Sequence, residues 1–355
     1  MAAATPTRVR SPRQPGVASE RFTWTFVLLC VWLMAGAYLD SWHHHNLVGR
    51  ETNFFTPYHA VLYSGIAVIG IFLSINVFRN YRRYGSWGEL LPDGYGVSLL
   101  GTVLFGIGGV FDLWWHSRFG IELSVAALFS PPHLLLMLTG GLIVSGPLRT
   151  AMRRGGNRAT WPAIISGALT LSMLTFFLQF DQPYIDRWAA GTTPDPRAFP
   201  WTEEELGMVG LILYALFVAG LLVMLLRRFE LPIGTVTVIL TINAVLVSPV
   251  ANHTELVLVA LLAGAAGDLL LYVLRPSPAR PYHFHAFMFA VPAALTISYL
   301  AVLGATSGVW WEATVWSGAV PVTGMVGWLV SFIALPGPSA RARIAQAKPS
   351  ELGVP

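Results

Sequence analysis

Long apolar runs recur along the whole chain, and they constrain the fold more than any other feature of the sequence. Ten runs are long enough to cross roughly 30 Å of hydrocarbon as helices. The chain is 54% hydrophobic and 11% charged, whereas soluble domains carry about 25% charged residues. The sequence therefore predicts an all-α, polytopic integral membrane protein with about ten transmembrane helices in a lipid bilayer. The runs cover approximately residues 22–40, 58–78, 97–115, 132–148, 160–180, 207–226, 232–250, 255–274, 285–303 and 315–335.

The basic residues are distributed unevenly between alternate connecting segments. If the N-terminus is cytoplasmic, 18 of the 22 basic residues fall on the inner side, and the exceptions are Arg50, Arg118, Arg187 and Arg197. Basic loops remain on the cytoplasmic side of membrane proteins. We therefore expect a multi-pass protein of the plasma membrane with both termini in the cytoplasm.

Polar segments divide the chain into parts. Two are predicted disordered cytosolic tails, because they are rich in Pro, Ala and Arg. Between them lie a first unit of four runs and a second unit of six runs with a long, acidic outer loop. In order, the parts are residues 1–21, 22–150, 159–336 (with the loop at 181–206) and 337–355.

Two stretches of the first unit, residues 40–59 and 112–133, carry nearly the same pattern. Each begins with D-x-W-x-H at the end of an apolar run, continues through G-x-E and closes with F-[TS]-P-x-H. This pattern predicts a tandem parallel repeat of a two-helix unit, with copies at about 22–80 and 97–150. The first run could also be a signal peptide, since Ala35-Gly36-Ala37 resembles a cleavage site, but the repeat requires that helix to stay.

Each copy assembles the donors of a metal site at the predicted outer face. An Asp and a His four residues apart share one helix face, the following loop adds a Glu, and a helix that begins with Pro adds a second His. Nitrogen and oxygen donors of this kind suit copper, iron or zinc. The predicted metal ligands are Asp40, His44, Glu51, His59, Asp112, His116, Glu122 and His133.

Several alternatives remain open at this point. The counterpart of His116 in the first copy could be His43, His44 or His45, and either Asp could orient its histidine instead of binding metal. A structural interpretation is also possible: an Asp–His ion pair at a helix end, tryptophans at the membrane interface and prolines that only start helices. Because consecutive helix pairs are usually neighbours, we expect the copies to share one mono- or dinuclear centre.

A second set of polar residues lies outside the repeat. His253, Glu255 and Asp181 are on the predicted outer side and could complete the site. Asp268 lies within an apolar run, where an acid is functional by default, and His283 and His285 could continue an inward path from it.

Other classes of site are excluded by composition. The single cysteine, Cys30, excludes an internal disulfide framework and a Cys-based zinc or iron–sulfur site. The chain contains no nucleotide or haem signature, and no basic, aromatic-interleaved patch that would bind nucleic acid.

The motif residues of the second copy resemble a pattern found in a group of uncharacterised bacterial multipass membrane proteins. Those proteins carry repeated D-x-x-W-H, G-x-[DE] and [ST]-P-x-H segments, and the first copy here departs from the pattern in its histidine spacing. The resemblance covers about a third of the chain and implies a bacterial multipass fold without an established activity. The matching residues are Asp112, Trp115, His116, Gly120, Glu122, Ser130, Pro131 and His133.

Three functions are compatible with the sequence. The first is a metal-dependent, redox membrane enzyme that acts on a small or lipid-soluble substrate. The second is a metal-ion handling or transport protein, and the third is a metal-free structural or assembly protein. The first is favoured, because the chain offers few polar groups for a path between its two faces. The sequence names no partner subunit.

The predicted topology can be tested with reporter fusions. A reporter inserted within residues 181–206 should be external and one within residues 79–96 internal, because the basic residues cluster on the opposite side from the two motifs. The measurement is accessibility to a membrane-impermeant label in intact cells. Protection of residues 181–206 from the label would contradict a common outer position for the motifs.

Overall fold

The computed structural model describes residue 16 and residues 18–47, 54–84, 90–120, 125–192 and 200–335. This part of the chain is helical and contains no β-strand. Short 3₁₀ turns at residues 179–181, 248–251 and 254–256 supplement the α-helices. The α-helices are α1 (Glu20–Asn46), α2 (Pro57–Tyr84), α3 (Gly96–Phe119), α4 (Val125–Phe129), α5 (Pro131–Val144), α6 (Gly146–Arg153), α7 (Trp161–Phe176), α8 (Pro200–Arg228), α9 (Thr235–Val247), α10 (Val257–Leu274), α11 (Pro281–Thr306) and α12 (Ala313–Ala334).

Seven helices of the described chain are long and apolar enough to cross a membrane: α1, α2, α3, α8, α10, α11 and α12. An eighth span results if α5 and α6 are counted together across their 46° bend. Helix α7 and the segment Thr235–Ala251 are apolar but shorter. The chain is therefore a helical membrane protein, and the predicted count of ten spans is not confirmed. The predicted tails lie outside the described residues, except for residue 16 and residues 18–21.

The motif helices begin and end where local chemistry dictates. Helices α2 and α5 start at Pro57 and Pro131, as predicted, because proline at the first helical position gives up an N–H that has no intrahelical partner. Helix α3 stops at Gly120, whose φ of 85° suits glycine and few other residues. These boundaries set which motif side chains are helical and which belong to loops.

Two helix pairs form the first half of the bundle. Helix α1 packs against α2, α3 packs against α5, and α2 contacts α3. Helix α7 contacts both α1 and α5, and the Tyr38 hydroxyl of α1 donates a hydrogen bond to the Ser172 carbonyl of α7 at 2.7 Å. The two motif-bearing pairs are thus held side by side against a common central helix.

The bend between α5 and α6 is stabilised by Arg149. The sequence Ser145-Gly146-Pro147 interrupts the helix, because proline removes a backbone donor. The Arg149 Nη2 atom donates to the Leu142 carbonyl at 2.8 Å and to Ser98 Oγ at 2.9 Å. A carbonyl released by the bend therefore obtains a partner within the bundle.

The second half of the bundle joins the first through buried hydrogen bonds. Asn243 of α9 accepts a hydrogen bond from the Tyr214 hydroxyl of α8 at 2.9 Å. Its amide donates to Ser172 and Thr175 of α7 at 3.1 and 2.9 Å. Buried polar groups need such partners in an apolar bundle, so this cluster ties α7, α8 and α9 together.

Asp268 has a structural partner within the membrane bundle. Its carboxylate, on α10, accepts hydrogen bonds from the backbone N–H groups of Val236 and Thr237 at 3.1 and 3.0 Å, and from the Thr237 hydroxyl at 2.6 Å. These are unpaired donors at the N-terminus of α9, where the helix dipole also favours an anion. Asp268 therefore caps a neighbouring helix.

Replacing Asp268 should lower stability without affecting metal binding. Asp268→Ala leaves three buried donors without their acceptor, which should cost roughly 1–3 kcal/mol and lower the midpoint of thermal unfolding in detergent. Asp93→Ala is the matched control, since its ion pair with Arg153 is exposed and worth about 0–1 kcal/mol. A variant that unfolds like the wild type would contradict the capping role.

Candidate metal centre

The Asp112 triad consists of one carboxylate and two imidazoles from two helices. Asp112 and His116 are one turn apart on α3, and His133 is near the start of α5. Both His Nε2 atoms face Asp112 Oδ1, at 3.3 Å for His116 and 3.0 Å for His133. The Asp112 side chain is only 2% exposed, so the triad is built inside the bundle.

The Asp40 triad repeats this arrangement on the other helix pair. Asp40 and His44 are one turn apart on α1, and His59 lies near the start of α2. The Nε2 atoms of His44 and His59 are 3.6 and 3.4 Å from Asp40 Oδ2. In each triad the three ligand atoms lie within 4.8 Å of one another.

Backbone carbonyls orient the histidines of the Asp112 triad. His116 Nδ1 is 3.0 Å from the Gly120 carbonyl, and His133 Nδ1 contacts the Ala127 carbonyl of α4. A carbonyl can only accept, so each Nδ1 carries the proton and, in the neutral ring, each Nε2 presents a lone pair to Asp112. A metal ion between these atoms, or a proton on Nε2 that completes an Asp–His ion pair, would satisfy both the lone pairs and the carboxylate.

The donor spacings match those of a metal coordination shell. With metal–donor bonds of about 2.0–2.1 Å, two donors on one ion lie about 2.9 Å apart at a right angle and about 3.4 Å apart at the tetrahedral angle. The observed N–O separations run from 3.0 to 3.6 Å. Both triads could therefore hold a divalent ion. The donors form two sets instead of one, so a single ion shared by all six is not supported.

Both triads line one cavity of about 120 Å³. The rest of its wall is almost entirely apolar, and Ser41 is the other polar residue in it. The apolar wall comes from six helices around the triads and from Phe177 just after α7. It is formed by Ala37, Leu62, Phe105, Ala127, Leu128, Leu136, Met137, Met173, Phe176 and Phe177.

The structure distinguishes the three consecutive histidines of the first copy. His44 belongs to the triad, His43 is buried and stacks on the Tyr58 ring with a centroid distance of 3.9 Å, and His45 is exposed. The predicted ligands Glu51 and Glu122 lie outside the described residues. The remaining predicted ligands form the two triads.

The other candidate outer residues lie away from this cavity in the described chain. Glu255 is 3.0 Å from Arg187 and 3.7 Å from His253, so it belongs to a separate ion-pair cluster. Asp181 is buried and accepts a hydrogen bond from Trp188 Nε1 at 3.0 Å. On the predicted inner side, His283 is exposed, and His285 hydrogen-bonds to Ser331 at 2.6 Å.

Two residues that were not among the predicted ligands contact the triads, Thr56 and Tyr63. Thr56 lies 3.2 Å from His59 Nδ1 through its hydroxyl, and a Thr just before Pro57 is a recognisable helix-capping signal. The Tyr63 hydroxyl donates to Asp112 Oδ2 at 3.3 Å. Tyr63 lies four residues after His59, so the spacing places both side chains on the same face of α2. Its partner Asp112 is on α3, and no pattern in the sequence indicates that contact.

Fold and site together define the class: a helical membrane protein with two buried Asp/His/His clusters that could bind metal. No protein-family model, curated protein or solved structure matches the chain. The resemblance to bacterial multipass proteins therefore stays a prediction, and functional argument depends on the site alone.

Buried acids beyond the triads should make stability depend on pH. Burial raises the pKa of Asp181 to about 7, against the hydrogen bond from Trp188 and with a contribution from Asp186. The folded protein then holds a proton that the unfolded chain releases near 3.8. Stability should therefore fall as pH rises from about 4 to about 7.

Asp181→Asn should remove this loss, because an amide does not ionise. Its midpoint of thermal unfolding should exceed that of the wild type above pH 7 and approach it near pH 4. Differential scanning fluorimetry across this range is the measurement, with the exposed Asp93→Asn as control. Parallel pH profiles for Asp181→Asn and the wild type would contradict the raised pKa.

Proposed function

We propose that this protein is a membrane-embedded metalloprotein that binds two divalent ions, one at each triad, and works as a metal-dependent redox enzyme. The observation that carries this proposal is the convergence of two His nitrogens on one buried carboxylate oxygen, found twice in one cavity. Copper, iron or zinc fits the donors, and of these copper and iron would supply redox chemistry whereas zinc would not. Two His with one carboxylate is a donor set typical of non-haem Fe(II).

Enzymatic function is favoured over a purely structural metal by the cavity that both triads line. A catalytic metal keeps a coordination position open for water or substrate, and that position needs free space beside the donors. Each triad offers three described donors on the wall of an apolar cavity. A bound metal would supply Lewis-acid or redox chemistry there, while the apolar wall would admit a small or lipid-soluble substrate and exclude bulk water.

The proposal includes that the two helix pairs arose by duplication of one two-helix unit. It also includes that both triads lie at the outer face of the membrane. Helix packing supports the duplication: a Cβ on Gly36 would lie 2.7 Å from Leu62, and a Cβ on Gly108 would lie 2.9 Å from Leu136. Each glycine lies four residues before its triad Asp, and each Leu three residues after the second His. We retain the ten-span, N-inside topology as part of this proposal.

Transport of the ion receives less support. An inward path needs polar groups between the two faces, and Asp268 already uses both carboxylate oxygens to cap α9. A metal-free assembly role remains the alternative that a metal analysis would reveal.

Metal content of histidine variants tests the two-ion site. Purified protein should hold up to two ions, and His59→Ala or His133→Ala should each lose about one, because each removes one of the three donors of its own triad. The double variant should lose both. Inductively coupled plasma mass spectrometry gives the stoichiometry, and His45→Ala, an exposed histidine on the same helix as His44, is the matched control.

The alternative outcomes are distinct. A single shared ion would be lost almost completely in either single variant. If all variants retain the wild-type metal content, or the wild type binds none after loading, the triads are structural ion pairs and the proposed function is wrong.

A further inference from the structure

The side chain of Tyr63 connects the two triads by a hydrogen bond across the helix pairs. Tyr63 lies one turn after His59 on α2, with a ring centroid 6.2 Å from that imidazole. Its hydroxyl donates to Asp112 Oδ2 at 3.3 Å. The other carboxylate oxygen, Oδ1, is the one that faces His116 and His133. A residue of the first copy thus contacts the carboxylate of the second.

The opposing helix has a glycine at the point where Tyr63 crosses it. A Cβ built on Gly109 would lie 2.7 Å from Tyr63 Cε1, a distance that real Cβ atoms do not reach. Gly109 is three residues before Asp112 on α3, on the same helix face. Because Gly109 has no side chain, the phenol ring can approach α3 closely enough for its hydroxyl to reach Asp112.

The sequence allows this contact from the first copy to the second, but not the equivalent contact from the second copy to the first. The residue four positions after the second-copy histidine, His133, is Met137, and the residue three positions before Asp40 is Ala37. A thioether cannot donate a hydrogen bond, and Ala37 presents a Cβ where Gly109 has none. Met137 and Ala37 therefore cannot reproduce the Tyr63 contact for the Asp40 triad.

We propose that Tyr63 is a positioning residue for the Asp112 triad alone, and that its hydroxyl raises the affinity of this triad for its ion. This inference depends on the proposed two-ion site. The hydroxyl holds Oδ2 and so directs Oδ1 toward the histidines, where Oδ1 would be the oxygen available to an ion. Partners that orient a metal ligand typically change affinity 10–100-fold.

The experiment isolates each triad and then removes the hydroxyl. In the His44→Ala background the Asp112 triad is the intact one, and in the His116→Ala background the Asp40 triad is. Chelator-stripped full-length protein in detergent is titrated with Co²⁺ in competition with a chromophoric chelator. The Co²⁺ d–d absorption reports the coordination geometry, which a merely structural role of Tyr63 would not alter.

Tyr63→Phe should raise the Co²⁺ dissociation constant about tenfold and change the d–d spectrum in the His44→Ala background. It should change neither in the His116→Ala background. Tyr58→Phe is the matched control, because Tyr58 is on the same helix but stacks on His43, and it should leave both backgrounds unchanged.

A second pair of variants tests the packing without removing the hydroxyl. Gly109→Ala should displace the Tyr63 ring and weaken Co²⁺ binding in the same background as Tyr63→Phe. Combining the two substitutions should add little further loss, because both remove one contact. Gly106→Ala is the control, since a Cβ at Gly106 on the same helix meets nothing within 4 Å.

The outcomes separate this inference from the function on which it depends. Equal effects of Tyr63→Phe in the two backgrounds, or no effect in either, would overturn the inference while leaving metal binding intact. Absence of Co²⁺ binding in the wild type and both backgrounds would overturn the proposed function itself.

Discussion

A carboxylate buried among apolar helices must be matched by donors or cations, and this requirement organises the first half of the molecule. Asp112 is 1% exposed and lies between two imidazoles whose far nitrogens are occupied by backbone carbonyls. Isolated burial of such a charge would be prohibitively unfavourable. The proposed divalent ion between one carboxylate and two neutral histidines would offset this cost while Nδ1 of each histidine keeps its proton for the backbone carbonyl. In each triad, groups from two helices meet at one carboxylate oxygen. The two helices of each pair, α1 with α2 and α3 with α5, must therefore pack closely against each other.

Close packing in this bundle depends on small residues and on one central helix. Gly36 and Gly108 allow the two helices of each pair to approach, and Gly109 admits the Tyr63 ring between pairs. Helix α7 contacts both pairs and contributes Met173 and Phe176 to the cavity wall. The cavity consequently combines two polar clusters with an apolar wall, which is what the proposed chemistry on a small, lipid-soluble molecule would need.

Elsewhere in the bundle, buried polar groups serve the fold. Asp268 lies in an apolar span, yet its carboxylate is satisfied by the N-terminus of α9, where unpaired N–H groups and the helix dipole offer what an anion needs. Asn243 and its partners likewise join three helices by hydrogen bonds. An acid within a membrane-spanning helix therefore indicates a functional site only when no hydrogen-bond donors of the fold account for its carboxylate. Helix N-termini inside a bundle are an alternative partner that hydropathy does not reveal.

What the sequence by itself determined is local. Apolar runs predicted the helices, four-residue spacing predicted that Asp40 and His44 share a face, and prolines predicted where the helices with the second histidines begin. The number of complete spans did not follow, because α5–α6 bends and α7 is short. Only the tertiary structure decided which of three adjacent histidines joins Asp40, that the donors form two triads, and that Tyr63 reaches Asp112. These outcomes depend on the rotation and separation of neighbouring helices, which are set by side-chain packing between segments far apart in the chain.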